Sequence, residues 1–356
     1  MRRYRDLYPS VVSFANLLAA YRAAARGKRG QPEVAAFEFA LESHLFQLQE
    51  ELQDRTYRPG PYRSFHIRDP KRRLISAAPF RDRVVHHALV RVIEPLFERA
   101  FISDSYANRV GKGTHRALDR CQELARRYRY VLQCDLRQFF PSMDLEILRD
   151  LLARRLADPD VMWLVERILE SGRGVLEEEY EMVWFPGDDL FAAGRPRGLP
   201  IGNLTSQFWA NCYLDPLDQF VKRELRCHGY VRYVDDFLLF AEDKGQLWRW
   251  KTAVRDLLAD LRLALHERES TVYPVSNGIP FLGFRVYASH RRLKRRNGVA
   301  FQRRLRRWYA NVGRGALGYD ELAQRLQGWV THAAHGDTYR LRRSLLCAPT
   351  VPRMPA

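Results

Sequence analysis

Two adjacent carboxylates, Asp235 and Asp236, stand between the apolar runs Gly229-Tyr-Val-Arg-Tyr-Val234 and Phe237-Leu-Leu-Phe240. β-Rich runs separated by two residues read as the arms of an antiparallel hairpin with acid at its tip. Neighbouring carboxylates repel, so holding both ionised takes a counter-charge, for which a divalent cation is the candidate; a solvated Asp-Asp turn is the plain alternative. A third acid, Asp135, ends the apolar stretch Tyr130-Val-Leu-Gln-Cys134. There it is either a strand-end cap or a ligand, because a carboxylate in an apolar strand is costly unless paired or liganded. Set on adjacent central strands, the three acids would converge. Oxygen-only ligands suit Mg²⁺, and two such ions about 3.5–4 Å apart serve in-line attack at phosphorus.

The elements that must position these acids can be read along the chain. Val11 to Ala20 is an amphipathic helix ended by the basic link Arg26 to Gly30, and Pro32 to Leu52 carries apolar residues at helical spacing until Arg58-Pro-Gly-Pro61 stops it. A strand pair follows, Tyr62 to Ile67 and Leu74 to Ser76, joined by the basic turn Arg68 to Arg73, which is suited to phosphate. Helical patterns cover Asp82 to Ala100, Thr114 to Tyr128 and Leu145 to Ser171. An acidic, turn-rich excursion holding Glu177, Glu178, Glu179, Glu181, Asp188 and Asp189 reads as a surface hairpin. The loop Arg195 to Gly202 leads into a helix from Thr205 to Leu225 and then into the acid hairpin. A helix from Gln246 to Leu265, strands around Val272 and Phe281, and helices at Arg303 to Tyr309 and Tyr319 to Ala334 complete an α+β fold without internal repeats.

Composition narrows the partners. The 356 residues are 46% hydrophobic and 12% aromatic, enough for a sizeable core. Lys and Arg number 59 against 42 Asp and Glu, a net +17 that points to a polyanion, with nucleic acid as the leading class. From His290 to Cys347, 14 Lys and Arg stand against 3 Asp and Glu, so this tail carries +11 and grips the partner. Cys121, Cys134, Cys212, Cys227 and Cys347 form no C-x-x-C pair and are odd in number. That argues against a disulfide framework or a structural zinc site and implies a reducing compartment. No apolar run approaches the roughly 18 residues of a membrane span.

The order and spacing of these segments resemble a reverse transcriptase over nearly the whole chain. Cys134-Asp135-Leu-Arg-Gln-Phe-Phe140, Leu199-Pro-Ile-Gly-Asn-Leu-Thr-Ser-Gln207 and Tyr233-Val-Asp-Asp236 stand in that family's motif order. The resemblance implies a right-hand polymerase. It has an N-terminal helical extension (1–60), fingers (61–129), a palm of antiparallel sheet and helices (130–285) with an acidic insertion near 175–192, and a basic helical thumb (286–356). It also implies that Asp135, Asp235, Asp236 and the Leu136 backbone carbonyl hold two Mg²⁺ ions, with Mn²⁺ as a substitute in vitro. A primer 3′-hydroxyl would then attack the α-phosphorus of a deoxynucleotide. Phe140 matches the ring that blocks a ribose 2′-hydroxyl, with Phe139 beside it. Arg72, then Arg68, are the triphosphate contacts, since guanidinium forks suit phosphate oxygens. Ile201 and Gly202 lie by the nucleotide, and Ile201 and Gln207 by the template. Phe281-Leu282-Gly283 resembles the primer grip, and Arg303, Arg304, Arg306 and Arg307 would follow the duplex backbone. Trp308 and Trp329 are expected to pack thumb helices.

The stretch Ile201-Gly-Asn-Leu-Thr-Ser-Gln207 departs from the Q-G-x-x-x-S-P of retroviral and group II intron enzymes and resembles diversity-generating retroelements, whose enzymes misincorporate opposite template adenines. An apolar Ile201 in place of an amide removes a polar contact able to police pair geometry. The resemblance further implies template RNA, RNA–DNA duplex and dNTP partners, a small basic accessory protein oligomer docking on Glu177 to Asp189, and a bacterial or phage-encoded cytoplasmic enzyme. Where many relatives place a leaving-group Lys, this chain has Glu269 beside Arg268. The chain ends soon after the thumb, so ribonuclease H, maturase and endonuclease functions are expected from elsewhere. A defence-associated or domesticated bacterial reverse transcriptase shares every catalytic residue, and an inactive RNA-binding scaffold is the reading of another class. An RNA-directed RNA polymerase is disfavoured by the bulk of Phe140.

Overall fold

The computed structural model describes residues 3–68 and 72–346. The N-terminal helices are α1 (Tyr8–Val12), α2 (Phe14–Ala25), α3 (Pro32–Phe39) and α4 (Leu41–Gln53). Each expected long helix is therefore broken once. Ser13 leaves helical geometry (φ −60°, ψ 138°) and its hydroxyl caps α2 by accepting the Asn16 N–H, while Ala40 (φ −122°, ψ 46°) separates α3 from α4. The hairpin β1 (Arg63–Arg68) and β2 (Arg72–Ala77) precedes α5 (Phe80–Glu98) and α6 (Thr114–Arg127).

The acids belong to a four-stranded antiparallel sheet ordered β4-β5-β3-β6, with β3 (Tyr130–Cys134) and β5 (Asp236–Ala241) at its centre and β4 (Gly229–Tyr233) and β6 (Thr271–Pro274) outside. Between β3 and β4 run α7 (Phe139–Ser142), α8 (Leu145–Ala153), α9 (Pro159–Ser171) and α10 (Leu204–Arg223), and α11 (Lys244–Asp260) links β5 to β6. Both faces of the sheet are covered, which explains the near-continuous apolar runs. Leu132, Cys134, Phe237 and Leu239 enter a core shared with the N-terminal helices and α5, whereas Val131, Val231, Leu238 and Phe240 pack with α6 and the following strands. The N-terminal extension is thus continuous with the palm core. Asp158 reinforces this, capping α9 while accepting the Leu7 and Tyr8 N–H groups at 2.6 and 3.0 Å.

A three-stranded sheet, β7 (Ile279–Phe281), β8 (Phe284–Val286) and β9 (Arg291–Leu293), leads to the helices α12 (Arg295–Gly313), α13 (Tyr319–Ala334) and α14 (Tyr339–Leu346). The palm–thumb boundary expected at 285–286 falls within β8 (Phe284–Val286). The last ten residues, 347–356, lie outside the described residues, as do Asp69, Pro70 and Lys71 of the basic turn. The helix expected to reach Leu265 stops at Asp260, where the chain turns through Arg262 at φ +53°. The acidic excursion is not a hairpin. It forms two 3₁₀ turns, Glu177–Glu179 and Leu190–Gly194, because its carboxylates are drawn to cations on other elements instead of into a strand ladder that would oppose like charges.

Candidate active site

Register decides where each acid stands. In the β4–β5 hairpin Tyr233 pairs with Asp236, so the two-residue turn is Val234-Asp235. Asp236 is the first residue of β5, not a turn residue as the spacing suggested. Val234 has φ +57°, the region that primed hairpin turns demand and β-branched residues avoid, at a cost of roughly 1–3 kcal/mol. The strained turn is held from beneath. Arg232, 1% exposed, donates through Nη1 to the Val234 carbonyl at 3.1 Å. The same guanidinium meets both Asp218 oxygens at 2.7 and 2.6 Å and the Asn211 carbonyl oxygen at 3.2 Å, and Tyr230 donates to Asp218 at 2.8 Å. Asp218 and Asn211 are buried on α10, the helix that follows the Ile201 loop.

β3 pairs with β5 as far as Cys134 opposite Phe237, and one further step sets Asp135 opposite Asp236. Cross-strand neighbours have Cβ atoms about 4.5–5.5 Å apart, and the consequence is electrostatic. Burial, then the charges of Asp235 and Asp135, push the Asp236 carboxyl up to about 7, with a hydrogen bond to Asp135 adding to the rise and Lys294 opposing it. The backbone orients Leu136. His266 N–H donates to the Asp135 carbonyl and Arg137 N–H to the Ala264 carbonyl, both at 2.8 Å, making Leu136–Leu265 a non-hydrogen-bonded pair. The Leu136 carbonyl therefore faces away from Leu265, toward the β5 side.

These groups fit hard cations. Asp135, Asp235, Asp236 and the Leu136 carbonyl are oxygen donors only, and Asp236, raised by burial and by the charges of Asp235 and Asp135, is a group whose ionised form a cation would favour. The side chains are near one another without being closed around an ion. Among the described residues no group of three or more His, Cys, Asp or Glu side chains has metal-holding geometry.

In the hairpin expected to meet the nucleotide, Arg68 and Arg72 face each other across β1–β2. Arg72 Nη2 lies 2.9 Å from His66 Nε2, which lies 3.3 Å from a Glu179 carboxylate oxygen. The hairpin base is tied to the Ile201 loop: Ser76 N–H donates to the Ile201 carbonyl at 2.8 Å, and Asn203 bridges the Ser76 carbonyl and the Ala78 N–H. Gly202 (φ +118°) brings the loop so close that a Cβ there would come 2.9 Å from Ile75 Cγ2. The loop also meets the Asp135 segment, with Leu199 N–H donating to the Phe140 carbonyl at 2.9 Å. Phe140 is half-buried, but Phe139 is only 3% exposed and packs edge-on against Phe140 at 5.2 Å. Phe139 is a core residue, not a nucleotide contact. Gln207 is exposed on the first turn of α10, and Glu269 and Arg268 are exposed on the turn before β6.

The expected primer grip is the β7–β8 turn, where Leu282 (φ +43°) and Gly283 (φ +87°) connect paired Phe281 and Phe284. Phe281 is 1% exposed, so it anchors the hairpin while Leu282 and Gly283 form its tip. The Gly283 carbonyl accepts Lys294 N–H at 3.0 Å and Asn297 Nδ2 at 3.1 Å, joining the tip to the start of α12. Beyond it Arg303, Arg306 and Arg307 are exposed and Arg304 half-buried. Phe301 stacks on Trp329 at 3.7 Å and meets Trp308 edge-on at 6.0 Å, so both tryptophans pack thumb helices.

Two sets of residues escaped the sequence reading. Arg232, Asp218 and Asn211 brace the acid turn, and an Arg inside an apolar strand was the available signal, since a buried charge requires a partner. Lys294, whose backbone N–H bonds the Gly283 carbonyl at the β7–β8 turn, acts on Asp236, yet within the basic tail it was one cation among many.

Residues 67–286 match the family described as reverse transcriptase (RNA-dependent DNA polymerase). The chain is 26% identical over 281 residues to Protein YkfC of Escherichia coli (strain K12), covering 67% of this chain and 70% of that protein. It is 26% identical over 184 residues to the group II intron-encoded protein LtrA of Lactococcus lactis subsp. cremoris, covering 51% of this chain and 28% of LtrA. Among solved structures, apo telomerase from Candida tropicalis truncated from its C-terminal domain aligns over 69% of this chain and 59% of that one, at 12% identity and a TM-score of 0.48. With a family match over residues 67–286, more than half of its length, this chain belongs to the reverse transcriptases, the RNA-dependent DNA polymerases.

Proposed function

We propose that this chain makes cDNA from a retroelement template RNA as the polymerase of a diversity-generating element, error-prone at template adenines, in the cytoplasm of a bacterial or phage-infected cell. The convergence of Asp135 and Asp236 across β3–β5, with Asp235 at the strained turn, carries the catalytic reading. Two Mg²⁺ ions bound there would lower the pKa of the primer hydroxyl and stabilise the leaving pyrophosphate. The chain's own groups do the rest. Asp135, Asp235, Asp236 and the Leu136 carbonyl hold the cations, Arg72 with Arg68 receives the triphosphate, and the half-buried Phe140 ring bars a 2′-hydroxyl. Leu282 and Gly283 set the primer end, and the exposed arginines of α12 follow the duplex backbone.

The loop supports the finer reading. Ile201 is pinned through its own carbonyl to β2, so its side chain is presented by a rigid backbone where it offers no hydrogen bond. Glu179, Glu181 and Asp188 are engaged with His66, Arg137 and Arg262. An accessory protein on Glu177 to Asp189 would therefore use the exposed Glu177 and Glu178, with the exposed Leu190 and Phe191 just beyond the segment. Deleting that segment and finding accessory binding intact would remove it as a dock. Primer extension on a defined RNA with Mg²⁺, followed by sequencing of every product, tests the whole reading. Errors concentrated at template adenines and reduced by Ile201→Gln are expected; an even error spectrum refutes the diversity-generating assignment while leaving polymerase activity intact.

A further inference from the structure

At the end of the palm sheet opposite the acids lies a cavity of about 470 Å³, walled by Tyr128, Tyr130, Tyr287 and His290. Asp135 lies five residue steps along the chain from Tyr130, roughly 16 Å at strand spacing, so this cavity is distinct from the polymerase centre. Each of its tyrosines carries a cation. Arg127 lies 5.6 Å from the Tyr128 ring centroid, Lys244 and Arg129 at 5.2 and 5.8 Å from Tyr130, and Arg292 at 5.8 Å from Tyr287. All four cations are exposed, and Tyr287 stacks on His290 at 4.6 Å and 11° to form a flat wall. No carboxylate lines the cavity, in contrast to the two beside Arg262, where Asp188, Asp189, Asp256 or Asp260 takes part. Asp243, next to Lys244, is committed to the α11 N-terminus through a hydrogen bond from Gln246 N–H.

Flat aromatic walls flanked by cations that have no carboxylate partner among the described residues suit a strand whose bases are free to stack and whose phosphates run alongside. A duplex keeps its bases inside and offers only phosphate. We propose that this cavity holds a single-stranded segment of the nucleic acid being copied, apart from the duplex, and so tethers the template; the identity of that strand as RNA rests on the reverse-transcriptase reading. Tethering raises the effective concentration of template at the palm and leaves the chemical step alone.

The test uses the full chain preloaded with a short primer–template duplex that fills the catalytic cleft, with fluorescence anisotropy of an unstructured 12-nucleotide RNA as readout. The variants are Arg129→Glu with Lys244→Glu, both at exposed positions, and separately Tyr130→Leu. Each is expected to weaken 12-mer binding at least tenfold, and to raise KM on a template with a long single-stranded extension while kcat on the short duplex is unchanged. That unchanged kcat reads the polymerase independently, so failure of the tether and failure of the enzyme are distinguishable. Unaltered 12-mer binding overturns the proposal, as does loss confined to the charge-reversed protein, which would mean charge attraction without stacking. Full competition by adenosine monophosphate at equal nucleotide concentration would make this a mononucleotide site and also overturn it. A DNA 12-mer binding tighter than RNA would reassign the strand to cDNA.

Discussion

Among the described residues two antiparallel hairpins have two-residue turns, and both begin on a bulky residue at positive φ, Val234 at +57° and Leu282 at +43°, but they secure it differently. The β7–β8 turn gives its second position to Gly283 and is held by two hydrogen bonds from the first residues of the thumb. The β4–β5 turn spends no glycine: it forces Val234 to φ +57° and braces it with a buried guanidinium anchored in α10. A turn that must follow the thumb tolerates an adaptable tether, whereas a turn that must aim carboxylates is over-determined by its surroundings.

Breaking the brace has the largest expected effect. Arg232→Ala leaves Asp218 charged and buried, with an expected loss of about 3–5 kcal/mol by denaturant titration. Arg232→Met with Asp218→Leu should recover most of that stability, since apolar replacement of a buried pair is often neutral. Polymerase kcat should nevertheless stay at least about tenfold down with KM for dNTP unchanged, because Val234 has lost its donor. A folded double variant with wild-type kcat would reduce Arg232 to a packing role.

The carboxylate cluster gives the next effect. Asp236 titrates near 7 when folded, above the roughly 3.9 of an unfolded Asp, so its protonated form is favoured by folding. Its contribution is full below about pH 4 and is lost as pH rises toward 7. In metal-free protein, Asp236→Asn should thus match wild type at pH 4 and exceed its stability at pH 8 by up to about 4 kcal/mol. Equal stability at both pH values would mean the acids do not meet.

Phe140→Ala should narrow the preference for deoxy- over ribonucleotides by at least about tenfold in kcat/KM, the size of a lost steric contact. The turns themselves give the smallest shifts. Val234→Gly should stabilise by roughly 1 kcal/mol while slowing extension a few-fold; Gly283→Ala, at φ +87° with Asn297 Nδ2 2.9 Å from the new methyl, should destabilise by about as much. Opposite signs in thermal unfolding would sharpen the contrast between the hairpins.

Much of this was legible beforehand because it is local. Apolar runs buried on both faces revealed the central strands, and the acids at their ends marked the candidate site. What escaped depended on register or distance. A one-residue shift moved Asp236 out of the turn, and in the Phe139-Phe140 pair no pattern tells which ring faces inward. Asp218 meets Arg232 only after α10 folds back over β4, and Glu179 reaches His66 over a separation of 113 residues. Charge counting assigned Lys294 to a nucleic-acid surface, although its position at the primer-grip turn brings it to Asp236.

Asp135, Asp235 and Asp236 are proposed to act as one catalytic set. Single-turnover primer extension on an RNA template with saturating Mg²⁺, comparing wild type with folded Asp135→Asn and Asp235→Asn, tests this most directly. Wild type should extend the primer and each variant should fall by on the order of 10³-fold or more while still binding the duplex. Extension by either variant at the wild-type rate would contradict the account.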